Sequence, residues 1–181
     1  MRYILQCLLK GKVEDYYHQL VDDIAYKFDL KVIKLENWFP HFTLKYWFET
    51  DDISKVEEVI EEFVNQNKKS KIRLGGFDNF ENRVVFIKVK PSKEARETFK
   101  KFIQELKKIQ WMPWRTTEGE NLIFHTTIAD ECEEKLNQVM DYLRGKERYF
   151  DCSFDNITIL REVSRVNDIS KCEIYKSFLM N

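Results

Sequence analysis

Two short stretches of the chain share one pattern: positions 39–44 are FPHFTL and positions 123–128 are IFHTTI. In each stretch a histidine is followed two residues later by a threonine, with apolar residues around them. The stretches lie 84 residues apart, and the whole chain has only three histidines. Alternate residues of a β-strand point to the same face. Each stretch, taken as a strand, therefore presents its histidine and threonine side by side.

The sequence around these stretches also repeats. Each half of the chain is predicted as strand, helix, histidine-bearing strand, helix and strand. FDN occurs at 77–79 and again at 154–156. The helices after the two histidine strands match at an offset of 80 residues, with Val56, Val59, Ile60 and Phe63 corresponding to Leu136, Val139, Met140 and Leu143. We infer that the chain is one domain, residues 1–181, built of two similar lobes.

Hydrophobic periodicity and turn residues give the predicted elements. Helices are predicted at 13–28, 53–63, 93–109 and 133–143. Strands are predicted at 3–9, 38–48, 71–77, 84–89, 122–129, 149–154, 157–163 and 173–179, and a loop at 111–121. The alternation of both element types places the chain in the α+β class.

Composition excludes several classes of protein. The 181 residues are 43% hydrophobic and 14% aromatic, which is too apolar for a disordered chain. The net charge of −1 argues against binding of long duplex nucleic acid. No apolar run is long enough to span a membrane. The four cysteines form no zinc-binding spacing and fit reduced thiols, so we expect a cytoplasmic protein.

The two histidines have the chemistry of a general acid and a general base. If the lobes are related by a pseudo-twofold axis, His41 and His125 meet across one groove. The pKa of histidine lies near neutral pH, so one imidazole can take a proton while the other gives one. Thr43 and Thr127 beside them are neutral hydrogen-bond donors for phosphate oxygens. A phosphodiester is the substrate that this combination suits.

These residues resemble the signature of the two-histidine (2H) phosphoesterase superfamily, which includes 2'-5' RNA ligase-like and 2',3'-cyclic phosphodiesterase-like proteins. The matching stretches are 41–44 and 125–128, and the resemblance covers nearly the whole chain. It implies a bilobal fold with two antiparallel sheets, flanked by helices, around a central groove. It implies catalysis by His41 and His125, phosphate binding by Thr43 and Thr127, and no metal cofactor. The implied substrate is an RNA end or a small nucleotide phosphodiester, handled by a monomer.

Other residues are candidates for contact with the substrate. Lys45 shares the strand face of His41 by simple alternation and could attract phosphate. Trp111, Trp114 and Arg115 lie in the loop before the second motif, where they could bind a base or form a lid. The aromatic residues Trp38, Phe39 and Trp47 could stack on a base, although core packing is the commoner role for each.

Three alternatives stay open. A non-catalytic module could bind nucleotides or RNA ends in the same groove, an interpretation that rests on Ala129-Asp130 standing where many family members place an arginine. A metal hydrolase could use the histidines as ligands, but neither strand carries a carboxylate at metal-binding spacing. An acyl-transfer enzyme with a cysteine nucleophile is also poorly supported, because no cysteine adjoins either histidine in sequence.

Overall fold

The computed structural model describes residues 1–30, 39–166 and 169–181. These parts of the chain contain four α-helices: Lys12–Phe28 (α1), Ser54–Gln66 (α2), Lys93–Lys107 (α3) and Leu136–Leu143 (α4). They contain eight strands: Arg2–Leu8 (β1), His41–Glu49 (β2), Ser70–Phe80 (β3), Val84–Pro91 (β4), His125–Ala129 (β5), Phe150–Phe154 (β6), Asn156–Val166 (β7) and Ile169–Leu179 (β8). Each predicted element is present, with ends that differ by a few residues. The predicted start of the second strand at Trp38 lies outside the described residues.

The helices form where an apolar stripe can be buried. α1 turns Tyr17, Leu20 and Ile24 into the core at the i, i+3, i+7 spacing of one helix face. α3 begins where the Ser92 hydroxyl accepts a hydrogen bond from the backbone N–H of Ala95, 3.1 Å away, which caps its first turn. No helix in the described parts of the chain is long and apolar enough to cross a membrane.

The strands form two antiparallel sheets of four strands each, in the orders β2-β1-β7-β8 and β5-β4-β3-β6. This confirms the predicted α+β class and the two-sheet architecture. The sheets do not coincide with the two halves of the sequence, because β3 pairs with β4 and β6 while β7 returns to pair with β1. The recurring FDN is not structurally equivalent: the first lies within β3, and the second joins β6 to β7.

A continuous hydrophobic core lies between the helices and the inner faces of both sheets. The sheets meet where β2 approaches β5, and the rings of Phe42 and Phe124 pack there with centroids 5.1 Å apart. The faces of β2 and β5 that are turned away from this core carry the histidines, and we call the surface that they form the groove. Because one core serves both sheets, we propose that the chain is a single domain.

A β-bulge follows each histidine motif. On β2, Thr43 pairs with Gln6, whereas Lys45 already pairs with Leu5, so Leu44 is an extra residue. On β5, Thr127 pairs with Phe86, whereas Ala129 already pairs with Val85, so Ile128 is the extra residue. A bulge shifts the alternation of side chains by one residue. Beyond each threonine, the simple alternation that places the histidine and the threonine on one face therefore no longer holds.

The first bulge gives Lys45 an environment unlike the predicted one. The expectation that Lys45 shares the face of His41 is wrong, because its partner Leu5 lies in the core. The Lys45 ammonium is 2.8 Å from a carboxylate oxygen of Glu118, and both side chains are almost completely buried. Glu118 also accepts a hydrogen bond from the backbone N–H of Arg115. This ion pair ties the loop before the second motif to the strand of the first.

Replacement of Lys45 by alanine should destabilise the protein strongly. Removing one partner of a buried ion pair leaves an uncompensated charge and typically costs about 3–5 kcal/mol. We expect the free energy of unfolding of Lys45→Ala to fall by about that amount, measured by urea denaturation with an unchanged m-value.

The matched control is the double variant Lys45→Met/Glu118→Leu, which replaces both charges by apolar groups of similar size. Such replacements are often neutral or stabilising. The double variant should therefore be more stable than Lys45→Ala. A double variant as unstable as the single one would show that the loss does not come from an unpaired Glu118.

Candidate active site

His41 and His125 occupy matching environments. The Nδ1 atom of His41 is 2.7 Å from the backbone oxygen of Phe39, and Nδ1 of His125 is 2.7 Å from that of Ile123. In both cases the carbonyl belongs to the residue two positions earlier. A carbonyl oxygen only accepts, so each Nδ1 carries the hydrogen and donates it. The neutral form of each ring then has its lone pair on Nε2.

Burial lowers the pKa of both histidines. The pKa of His41 falls from its ordinary value of 6.5 to about 4, mainly because burial disfavours the charged ring. The hydrogen bond to Phe39 opposes this shift, and nearby His125 adds to it. Burial also lowers the pKa of His125, against the hydrogen bond to Ile123. Near neutral pH both imidazoles therefore start uncharged, and an anion beside them would favour their protonated forms.

Each motif shares its groove face with residues of the neighbouring strand. On β1, Leu8 pairs with His41 and Gln6 pairs with Thr43, and we call these four residues the first half-site. On β4, Lys88 pairs with His125 and Phe86 pairs with Thr127, and we call these four the second half-site. Residues directly opposite in an antiparallel pair have Cβ atoms about 4.5–5.5 Å apart. The two half-sites thus match in their motifs and differ in their partners.

The second half-site is aromatic around its histidine. The rings of Phe80 and Phe86 stack with centroids 4.2 Å apart. Each also meets the His125 ring edge to face, at 4.9 and 5.3 Å. These contacts restrict the orientation of His125 and contribute to its burial, and burial is the main cause of its lowered pKa.

Sequence reasoning missed the residues of β1 and β4 that face the groove. Lys88 stands in an apolar strand between the buried residues Ile87 and Val89, and Gln6 stands in β1 in the same way. A polar residue that interrupts a buried strand was the available signal. Its meaning depended on which strands pair with the two motifs, and spacing along the chain does not give that pairing.

The loop before the second motif lies against the inner side of β2. Trp111 packs against Phe48, with ring centroids 6.2 Å apart. The Trp114 ring lies 5.0 Å from the ammonium of Lys45, and the guanidinium of Arg115 lies over the ring of Tyr46. These contacts are with the part of β2 beyond the bulge. The structure therefore does not bring the predicted substrate contacts Lys45, Trp111, Trp114 and Arg115 together with the histidines.

The remaining aromatic candidates differ in position. Phe39 and Trp47 pack in a small cluster with Ile4, Leu8 and Leu160 on the groove side of the first sheet. Trp47 also lies under the guanidinium of Arg2, 4.6 Å from its ring centroid. Trp38 lies outside the described residues. Phe39 thus serves the site through its backbone oxygen, which orients His41.

Asp130, just beyond the second motif, is engaged with Arg83. The guanidinium Nε lies 3.1 Å from the carboxylate, and Glu131 and Glu133 stand near the same arginine. Within residues 1–30, 39–166 and 169–181, no group of three or more His, Cys, Asp and Glu side chains has an arrangement that could hold a metal ion.

The fold is similar to several solved structures. A protein of Thermus thermophilus, TT0787, aligns with a TM-score of 0.74 at 12% identity, over 99% of this chain and 98% of that one. The Escherichia coli protein LigT, crystallised with NADP+, aligns with a TM-score of 0.64 at 10% identity, over 99% and 97%. LigT has also been crystallised with 3'-AMP, with phosphate and with ATP. At these identities the likeness establishes the fold alone.

The sequence adds evidence of its own. No curated protein sequence matches the chain significantly. The family model of the 2'-5' RNA ligase superfamily, in contrast, matches residues 18–165, which include both histidine motifs, all of the second sheet, and β2 and most of β7 of the first sheet. The protein belongs to the 2'-5' RNA ligase superfamily, the two-histidine phosphoesterases.

Proposed function

We propose that this protein is a metal-independent phosphodiesterase that acts on RNA ends or small nucleotides. The reaction is hydrolysis of a 2',3'-cyclic phosphate, or cleavage or ligation of a 2'-5' linkage. His41 and His125 serve as general base and general acid, and Thr43 and Thr127 bind the phosphate. Superfamily membership supports phosphoester chemistry, and the nucleotide complexes of LigT support a nucleotide in the groove.

The observation that carries this proposal is the identical tethering of the two imidazoles. Each ring is held at Nδ1 by a backbone carbonyl at 2.7 Å, on β2 and β5, which contact each other where the two sheets meet. This arrangement leaves Nε2 of each ring as the atom that exchanges a proton. Two histidines with a purely structural role would have no reason to share the same tautomer and the same hydrogen bond to a backbone carbonyl.

The geometry supports an in-line displacement with balanced proton transfer. For a cyclic phosphate, one Nε2 takes a proton from water while the water oxygen bonds to phosphorus. The bond from phosphorus to one ribose oxygen breaks, and the protonated second imidazole gives its proton to that oxygen. The two rings end with exchanged protonation states, and exchange with solvent resets them. The Thr43 and Thr127 hydroxyls donate to the non-bridging oxygens throughout.

The imidazole that acts as general acid must gain its proton either after the substrate binds or at mildly acidic pH. Burial keeps both rings neutral in the free protein, with the pKa of His41 at about 4. The negative charge of a bound phosphodiester raises the pKa of an adjacent imidazole. Substrate binding therefore creates the imidazolium that protonates the leaving oxygen.

Both motifs lie on one chain, so we propose that a monomer is sufficient for activity. All four cysteines are free thiols, and Cys7 and Cys132 are buried. This supports a reducing compartment, and we propose the cytoplasm.

Alanine at either histidine should abolish most of the activity. A general acid or base contributes about 10²–10⁴-fold, and His41→Ala and His125→Ala should each lower kcat by that order. The double variant should lose far less than the product of the two, because both groups act in one step. Steady-state assays on a 2',3'-cyclic nucleotide and on a 2'-5' dinucleotide check this.

His18→Ala is the matched control, because His18 is the third histidine and lies exposed on α1. It should retain wild-type kcat. Thermal melting should show that all single variants remain folded. Variants of His41 and His125 that unfold would favour a structural role, and a folded wild-type protein that binds nucleotides without turnover would indicate a binding module.

Chelation should leave activity intact. The proposed proton transfers use side chains alone, so dialysis against EDTA should not change kcat/KM on the same substrates. Loss of activity that zinc or manganese restores would contradict the proposal and favour a metal hydrolase.

The pH profile should be a bell displaced toward acid. The plot of kcat/KM reports the free enzyme, in which burial lowers the pKa of both histidines below 6.5. Its maximum should therefore lie below pH 6.5. The maximum of kcat, which reports the complex, should lie at higher pH because the bound phosphate favours the imidazolium.

Each single histidine variant should lose one limb of the bell, which identifies the acid and the base for the direction assayed. Thr43→Val and Thr127→Val should keep both limbs and lower the height, because hydroxyls do not titrate in this range. A sigmoid profile that rises to a plateau at high pH would contradict the acid–base pair.

A further inference from the structure

The two motif strands carry no positive charge into the groove. A phosphodiester brings one negative charge, while the resting imidazoles are neutral and the threonine hydroxyls are uncharged. Lys45, the cation nearest the first motif in sequence, is buried with Glu118 on the other face of β2. Asp130, beyond the second motif, is a carboxylate paired with Arg83. A positive charge on a strand paired with a motif would therefore favour substrate binding before either imidazole is protonated.

Among the residues paired with the motifs, Lys88 alone is charged. The first half-site has Leu8 and Gln6 at these positions, and the second has Lys88 and Phe86. Lys88 is directly opposite His125, so the two side chains leave the sheet on the same face, with Cβ atoms about 4.5–5.5 Å apart.

The backbone of β3 makes room for the Lys88 side chain. Between the pairs Leu74–Val89 and Phe77–Ile87, two glycines of β3 face Lys88 alone, which forms a bulge. Gly76 has φ of +72°, and a Cβ atom there would lie 3.1 Å from Cε of Lys88. The absence of a side chain at Gly76 thus lets the lysine stem lie along the groove face.

The Lys88 ammonium is held only loosely. Its Nζ lies 3.8 Å from a carboxylate oxygen of Asp78, and the two side chains are 40% and 56% exposed. Such a long, solvated ion pair contributes little and is easily exchanged. The flexible stem of lysine lets the ammonium turn toward an anion in the groove.

We propose that Lys88 binds a non-bridging oxygen of the substrate phosphate beside His125. This inference rests on the proposed function, and it names a phosphate-binding residue outside the two motifs. With Lys88, the second half-site is the one that binds the negatively charged oxygen of the phosphodiester. The two half-sites then hold the ester asymmetrically, although their motifs are alike.

The test compares Lys88→Met with Lys90→Met. Lys90 is on the same strand and the same face, two residues further along and exposed, opposite Arg73 rather than a motif residue. Both substitutions remove one positive charge and keep an unbranched side chain. Binding of inorganic phosphate and of 3'-AMP is measured by titration calorimetry, and kcat/KM on a 2',3'-cyclic nucleotide is measured in parallel.

Lys88→Met should weaken binding of both ligands by about 10- to 100-fold, the usual size for loss of a hydrogen bond to a charged group. Its kcat/KM should fall, and Lys88→Arg should restore most of both. Lys90→Met should bind within about twofold of the wild type, because solvent and salt screen its charge. Melting temperatures should be unchanged, since both lysines are partly or fully exposed.

Equal effects of Lys88→Met and Lys90→Met, or wild-type binding by Lys88→Met, would overturn the inference even if turnover is intact. A wild-type protein that binds neither phosphate nor 3'-AMP would overturn it too. If Lys88→Met alone weakens binding but no phosphodiester is turned over, the role of Lys88 stands and the proposed function fails.

Discussion

The alternation of side chains along β2 and β5 is the constraint on which the site depends. On β2, Phe42 and Leu44 are buried in the core, whereas His41 and Thr43, which alternate with them, face the groove. Burial of each such apolar side chain is worth about 1.5–3 kcal/mol, so the register is held firmly. A slip by one residue would exchange the two faces and bury the polar groups. Packing of the core therefore fixes where the imidazoles stand.

The bulges limit that alternation, and together with strand pairing they determine where two lysines lie. Lys45 follows a motif in sequence, yet the extra residue on β2 turns it into the core, where Glu118 neutralises it. Lys88 lies far from either motif's own sequence, yet pairing of β4 with β5 places it opposite His125. One lysine joins a loop to a strand, and the other supplies charge to the groove. Proximity along the chain predicts neither role.

The two motifs hold their histidines by the same hydrogen bond, but the residues around the two rings differ. Both Nδ1 atoms meet a carbonyl at 2.7 Å, which gives both rings the same tautomer. The strands beside them differ: the aromatic pair Phe80 and Phe86 adjoins His125, and the neutral side chain of Gln6 pairs with Thr43. The asymmetry needed to orient a substrate therefore comes from β1, β3 and β4, outside the repeated motifs.

The sequence by itself determined the elements, the α+β class and the two strands that bear His41 and His125, because hydrophobic periodicity and a repeated motif are local signals. It also pointed to the family through those motifs. Only the tertiary structure decided which strands pair, where each bulge falls and which side Lys45 takes. These features depend on contacts between residues distant in sequence, such as Lys45 with Glu118 and Lys88 with His125. The alternation of side chains along a strand predicts which face a residue takes only as far as the next bulge. The position of that bulge depends on pairing with the neighbouring strand.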